Sequence, residues 1–377
     1  MIFPAKYRTW FFALVALSVP VSHSRALLNI DGARNQIFVF GSVTFAHSSN
    51  IFSESSNRGD YTVNAQAGVE LKRRAGIIAV NSTFSVTYQG YTEYTDQSGL
   101  NPNFYIEFNK TTGRTTGAFT INAFRESRAD SVLNTRTNSW NFPLGLNLKY
   151  PINDKYYVTS STTYLRRQYV DTAVLANLTD YSEGLDVFYT RNEKQQWLAG
   201  YRIRVSENDF TGDSTDHWFN VGITEQILAK LNGSLRVGYQ IRDVGRTSER
   251  FHHWNVVASL NWPVTRKLAL RSQISRDFNT IATGATVETS GADLRGNYTF
   301  TRKFDIEAGI GYGRNVFLGR DQPERQDDYF SWDVGANYKF NEHLRVGVAY
   351  NYYRNWSTID LSDFVRRGYS LNISSRY

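Results

Sequence analysis

The chain has 377 residues, with 42 Lys and Arg against 35 Asp and Glu, no Cys and only 7 Pro. The absence of cysteine excludes a disulfide scaffold, a thiolate metal site, an Fe–S cluster and a cysteine nucleophile. A mean hydropathy of −0.45 excludes a bundle of transmembrane helices, each of which needs about 20 consecutive apolar residues. The formal charge of +7 suits anionic partners, although nucleic acid is not expected once the chain is exported.

The first element is a basic segment, Lys6 and Arg8, followed by the apolar run Trp10 to Val21 and then Ser24-Arg25-Ala26. This order reads as a secretory signal peptide over residues 1–26, cleaved after Ala26, because the apolar run is too short for an anchor and holds Pro20. A short periplasmic segment, 27–35, is expected next. Residues 36–377 are then expected, from their strand period and connector lengths, to form a single outer-membrane β-barrel domain.

From Gln36 onward the polarity alternates with period two, which places successive side chains on opposite faces of a strand. Trp140, Phe142, Leu144, Leu146, Leu148 and Tyr150 alternate with Asn141, Pro143, Gly145, Asn147 and Lys149. Leu344, Val346, Val348, Tyr350 and Tyr352 alternate in the same way with Arg345, Gly347, Ala349, Asn351 and Tyr353. Eight short connectors, such as Arg73–Gly76 and Asn341–His343, interleave with nine longer polar ones, such as Ser48–Asp60 and Asn279–Ser290. The expected architecture is therefore all-β, a transmembrane up-and-down antiparallel barrel of about 18 strands, with short periplasmic turns and longer extracellular loops. None of those loops is long enough to suggest a plug.

A soluble sandwich or propeller would show the same period. Lipid is favoured because aromatics gather toward the ends of the apolar faces, as in interfacial girdles: Tyr61, Tyr88, Trp140, Tyr150, Trp197, Trp218, Trp254, Trp262, Tyr298, Phe300, Phe330 and Phe340. The last segment, with Tyr369, Leu371, Ile373 and the terminal Tyr377, resembles the C-terminal signal through which the barrel-assembly machinery recognises its substrates. In hydrocarbon a free strand edge has no water to bond, so the first and last strands are expected to pair.

Ser49-Asn50-Ile51-Phe52, the polar run to Asp60 and the two strands ending at Tyr91 and Tyr94 resemble the putative beta-barrel porin 2 family. That resemblance implies an outer-membrane channel associated with exopolysaccharide synthesis and export, with export-complex proteins as partners. It carries no motif that defines a substrate.

By parity the lumen face holds Arg202, Arg204, Arg236, Arg242, Arg271, Arg295, Lys339, Arg345 and Arg366 against Asp293, Asp305, Glu307 and Asp333. Such a wall either favours anions or is neutralised by pairing across strands. Tyr105, Phe124, Phe188 and Tyr353 also face inward by parity, and rings beside Arg and Asn suit either sugar contact or packing. Enzymatic activity is not expected: no G-x-S-x-G lies near a His, and neighbours such as His252 and His253 point to opposite faces of a strand. No cofactor or metal is implied. The expected function is a channel assisting polysaccharide export, with a small-solute or anion-preferring porin and a filled structural or adhesive barrel as alternatives.

Overall fold

The computed structural model describes residues 27–30, 34–74, 76–170, 175–228, 230–319 and 324–377. The expected signal peptide lies outside the described residues. A short strand, β1 (Leu28–Ile30), pairs with the start of β2 (Asn35–Ser48). There follow β3 (Asp60–Arg73), β4 (Ala79–Tyr91), β5 (Gly99–Lys110), β6 (Thr116–Asp130), β7 (Thr135–Pro151), β8 (Tyr156–Tyr169), β9 (Leu178–Asn192) and β10 (Gln195–Asn208). The second half comprises β11 (Gly212–Leu228), β12 (Leu231–Val244), β13 (Glu249–Trp262), β14 (Leu268–Thr280), β15 (Thr286–Thr299), β16 (Phe304–Leu318), β17 (Gln326–Lys339), β18 (Leu344–Ser357) and β19 (Phe364–Arg376).

From β2 to β19 each strand is antiparallel to the next, and β19 pairs with β2 from Gly368↔Ser48 to Arg376↔Phe40. The meander is a closed barrel of 18 strands. Closure extends past the ladder, because Val39 and Tyr377 exchange backbone hydrogen bonds of 2.9 and 2.8 Å and the Tyr377 ring stacks on His343 at 4.7 Å. An 18-strand barrel with strands about 4.8 Å apart and tilted about 40° is roughly 35 Å across, wide enough for an aqueous lumen.

The outer face is apolar and exposed, as at Phe84, Phe104, Leu185, Val221, Leu235, Leu294 and Val348. Rings crowd both ends of this band: Tyr181 and Tyr189 on β9, Trp254 and Trp262 on β13, Phe330 and Tyr338 on β17. Trp218, grouped with the girdle rings from sequence, belongs on the other face. On the same strand, the outward-facing Phe219 and Val221 are 56% and 65% exposed, whereas Trp218 is buried in the lumen under Arg202, whose guanidinium lies 4.2 Å from the ring centroid. The indole lies against Gly238, where a Cβ would come within 2.8 Å of its Cδ1. A glycine at that register point lets a large ring lie flat on the inner wall.

The loop rim is more closed than loop lengths suggest. Asn134, at the tip between β6 and β7, donates to the Ser53 carbonyl at 2.9 Å and accepts from the Ser362 hydroxyl at 2.6 Å. Arg325 donates to the Val132 carbonyl at 2.8 Å, and Arg366 to the Ser53 hydroxyl at 3.0 Å. Long strands, rather than a long loop, carry this tip across the mouth. Its anchor is the loop from 49 to 59, organised by the fully buried Asn50: Nδ2 donates to the Glu54 carbonyl at 2.6 Å and Oδ1 accepts from Ser53 N at 2.8 Å. Asn50→Ala leaves these groups without partners and is expected to cost about 1–3 kcal/mol. A lower temperature for the heat-induced mobility shift on a gel measures it.

The hairpin of β14 and β15 obstructs the lumen although, as expected from sequence, no connector is long enough to suggest a plug. β13 and β14 pair only from Val256↔Arg276 to Trp262↔Leu270, leaving Arg250–Asn255 of β13 with no ladder on that side. Beyond Arg276 the hairpin turns into the lumen and lies along the inner wall of β13 to β10. Phe278, Ala282, Ala285 and Val287 of the hairpin are buried. The absence of a long loop thus did not mean an unobstructed bore.

Candidate functional site

The lumen face of β2 to β8 is lined mainly by amides and hydroxyls, among them Asn64, Asn81, Asn103, Asn147, Ser161 and Thr163. Some bond across strands: Ser161 donates to Asn147 Oδ1 at 2.8 Å, and Asn81 to Glu107 at 3.2 Å. The charged half of the wall runs from β9 to β18.

The arginines singled out from sequence all face inward, but they fall into separate groups. Arg204 and Arg242 converge on Asp216: Arg204 Nε is 2.7 Å from Oδ2, while Arg242 Nε and Nη2 approach Oδ1 and Oδ2 at 2.7 Å each. Arg242 and Asp216 are 0% and 1% exposed. Arg202 and Arg204 also reach Asp277 on the infolded hairpin, at 3.3 and 3.2 Å. These three arginines therefore clamp the hairpin to the wall. Thr280 adds contacts to Arg242 at 3.2 Å and Ser214 at 3.4 Å, and Asn208 donates to the Ile281 carbonyl at 3.3 Å. At the edge of the seam His253 stacks on Phe278 at 3.9 Å and bonds Glu288 at 2.9 Å and Gln240 at 3.3 Å.

Arg236 pairs with Asp186 at 2.8 Å beside a cavity of about 800 Å³ that also touches Arg202 and Trp218. A second cavity of about 880 Å³ is lined by Arg271, Asp293 and Arg295 with Gln273, Ser331 and Tyr329. Arg271 and Arg295 are directly opposed across β14 and β15, and Arg295 lies 3.6 Å from Asp333. Asp305 accepts from Asn337 at 3.1 Å, and Glu307 lies over Gly335. Arg345 and Lys339 line a third cavity near the short turns. Among the described residues no carboxylate lies within ion-pair distance of Arg271 or Arg345.

Parity alone picked out eight arginines, Arg202, Arg204, Arg236, Arg242, Arg271, Arg295, Arg345 and Arg366, together with Lys339, against four acids. Asp186, Asp216 and Asp277 were missed, and with them the count is nine basic side chains against seven acids. The first two were legible by alternation. Asp277 acts only because its hairpin folds inward. Of the inward aromatics, Phe188 stacks on Tyr157 at 4.5 Å and Tyr353 on Tyr329 at 5.8 Å, so both are packed against neighbours.

The assembly segment lies on the closing strand: Tyr369 and Leu371 are exposed outward, Ile373 shares their face, and the Tyr369 ring stacks on His47 at 5.0 Å. Among the described residues, no helix is long and apolar enough to cross a membrane, and no three His, Asp or Glu side chains gather as a metal site.

The family model for Putative beta-barrel porin 2 matches residues 181–377, more than half of the chain. The chain belongs to this porin family. It is accordingly an outer-membrane channel and not an enzyme. No curated protein matches it. Solved barrels share the porin fold at very low identity. OccK2 (OpdF) of Pseudomonas aeruginosa, in complex with glucuronate, aligns with a TM-score of 0.54 and 8% identity over 91% of this chain and 97% of that one. OccK9 (OpdG) of the same organism gives 0.53 and 8% over 91% and 98%, and OccAB3 of Acinetobacter baumannii 0.50 and 9% over 92% and 99%. At this identity the likeness concerns the barrel and not the cargo. In this porin the upper part of the lumen is narrowed by the barrel's own β14–β15 hairpin.

Proposed function

We propose that this porin passes a hydrophilic saccharide polymer outward across the outer membrane, as part of exopolysaccharide export. The observation that carries the reading is the lumen lining: amides, hydroxyls and tyrosines, with nine basic side chains offset by seven carboxylates, most of them paired across strands. A sugar chain exchanges its hydrogen bonds with water for bonds to such a surface, and charges largely offset by their neighbours neither trap nor repel a neutral or weakly acidic polymer. OccK2 was solved with glucuronate, a sugar acid, and supports the idea that barrels of this shape accommodate sugars. The partners of this function are outer-membrane lipid, the assembly machinery acting on Tyr369 to Tyr377, and the proteins of an export complex. A signal peptide over 1–26 would direct the chain there.

Deletion of the gene should abolish surface polysaccharide while leaving uptake of small solutes intact. Unchanged polysaccharide together with lost uptake would instead support the second reading, a general diffusion porin, which Arg271 and Arg345, with no ion-pair partner among the described residues, favour for small anions. Absence of any single-channel current in planar bilayers would defeat both and leave a filled barrel.

A further inference from the structure

We infer that the upper half of β14 has two alternative seats, one against the inner wall and one zipped into the barrel beside β13, and that exchange between them gates the channel. The inner seat is the one described above, with Asp277 clamped by Arg202 and Arg204 and Phe278 buried on His253. The outer seat is written in the register of the strands.

On the outer face Tyr201 opposes Phe219, Phe219 opposes Tyr239, and Tyr239 opposes Trp254, an unbroken row of rings on β10 to β13. Continuing the β13–β14 register upward from Val256↔Arg276 would oppose Trp254 to Phe278, Asn255 to Asp277 and His252 to Thr280. The next ring of the row is present in the sequence at the required position, and has been turned inside. The partner edge carries no ladder as well, since Arg250–Asn255 of β13 pairs with β12 on one side only, and Trp254 is 64% exposed. An unpaired edge beside a register-matched strand is a standing invitation to pair.

The hinge lies at the same level. Ser275 opposes Gly291, which opposes Gly313, so adjacent strands carry facing glycines one residue below the point where β14 leaves the wall. Paired glycines allow a sheet to bend sharply where side chains would resist. Both lie against the Tyr329 side chain of β17. The two seats then trade similar interactions: ion pairs and ring stacking inside against additional ladder hydrogen bonds and ring contact outside. Packed elements with two such arrangements switch between them rather than deform gradually.

The chain has no cysteine, so the seats can be trapped separately by engineered pairs. Ser214→Cys with Thr280→Cys joins hydroxyl positions 3.4 Å apart in the inner seat. His252→Cys with Thr280→Cys can close only in the outer one, because His252 lies on the lipid side of β13. In planar bilayers the reduced proteins should flicker between two levels. Oxidation should hold the first pair at the lower level and the second at the higher, with a difference of about twofold because conductance follows open cross-section. Heat-modifiable migration on a gel checks that both variants are folded. Asp277→Asn, which introduces no cross-link, should lengthen dwell at the higher level. Failure of the 252–280 pair to cross-link in a folded barrel, or equal conductance of both oxidised forms, would overturn the two-seat inference while leaving the export reading untouched.

Discussion

Asp216→Ala is expected to cost about 3–5 kcal/mol and to raise channel conductance in the same protein, because it strands a guanidinium that is fully withdrawn from solvent. Arg242 bonds Asp216 through two nitrogens at 2.7 Å and has no other carboxylate partner among the described residues. Arg204 loses its 2.7 Å contact but keeps Asp277. With the clamp half dismantled the hairpin should leave the inner wall more often. The measurement is the temperature of the heat-induced mobility shift together with single-channel current. Asp216→Ala combined with Arg242→Met should recover much of the lost stability, since removing both partners of a buried pair costs far less than removing one. A double variant as unstable as the single one would show that the cost arises elsewhere.

The second large effect concerns selectivity. Arg271 and Arg295 line the same cavity as Asp293, with Asp333 beside Arg295, so the local charges cancel and the native channel should discriminate weakly between small ions. Arg271→Glu with Arg295→Glu leaves only carboxylates there. Fixed charge of one sign beside low-dielectric walls concentrates counter-ions, so the cation-to-anion permeability ratio should rise about threefold or more. The reversal potential in a salt gradient reads it directly. Arg236→Glu should move it less, because Arg236 is already committed to Asp186 at 2.8 Å. An unchanged reversal potential in the Arg271 and Arg295 double variant would mean that ions do not pass this part of the lumen.

These predictions separate two groups of arginine that parity treats alike. Alternation assigns Arg204 and Arg271 to the same face, and both do face inward. One holds a structural element and the other faces the water of the lumen. The difference arises from Asp277, whose inward face becomes a contact surface only when its hairpin bends over the wall. Trp218 illustrates the same limit. A tryptophan next to an alternating apolar run reads as a girdle ring, yet its parity is that of Asp216 and Asn220, and Gly238 across the ladder makes room for it inside.

What the sequence determined by itself was everything that depends on period and count: strand identity, the two faces, the order of short turns and longer loops, the even meander and the pairing of the last strand with the first. These follow from local chemistry, because a strand has only two faces and hydrocarbon tolerates no free edge. The tertiary structure decided which charges pair, how far the loop rim closes, and that β14 leaves β13 at Arg276 to lie in the lumen. Those outcomes depend on groups more than 70 residues apart in the chain, such as Arg204 and Asp277, or Ser53 and Asn134. The period of a strand says which side a residue faces, but only closure of the barrel says what it meets there.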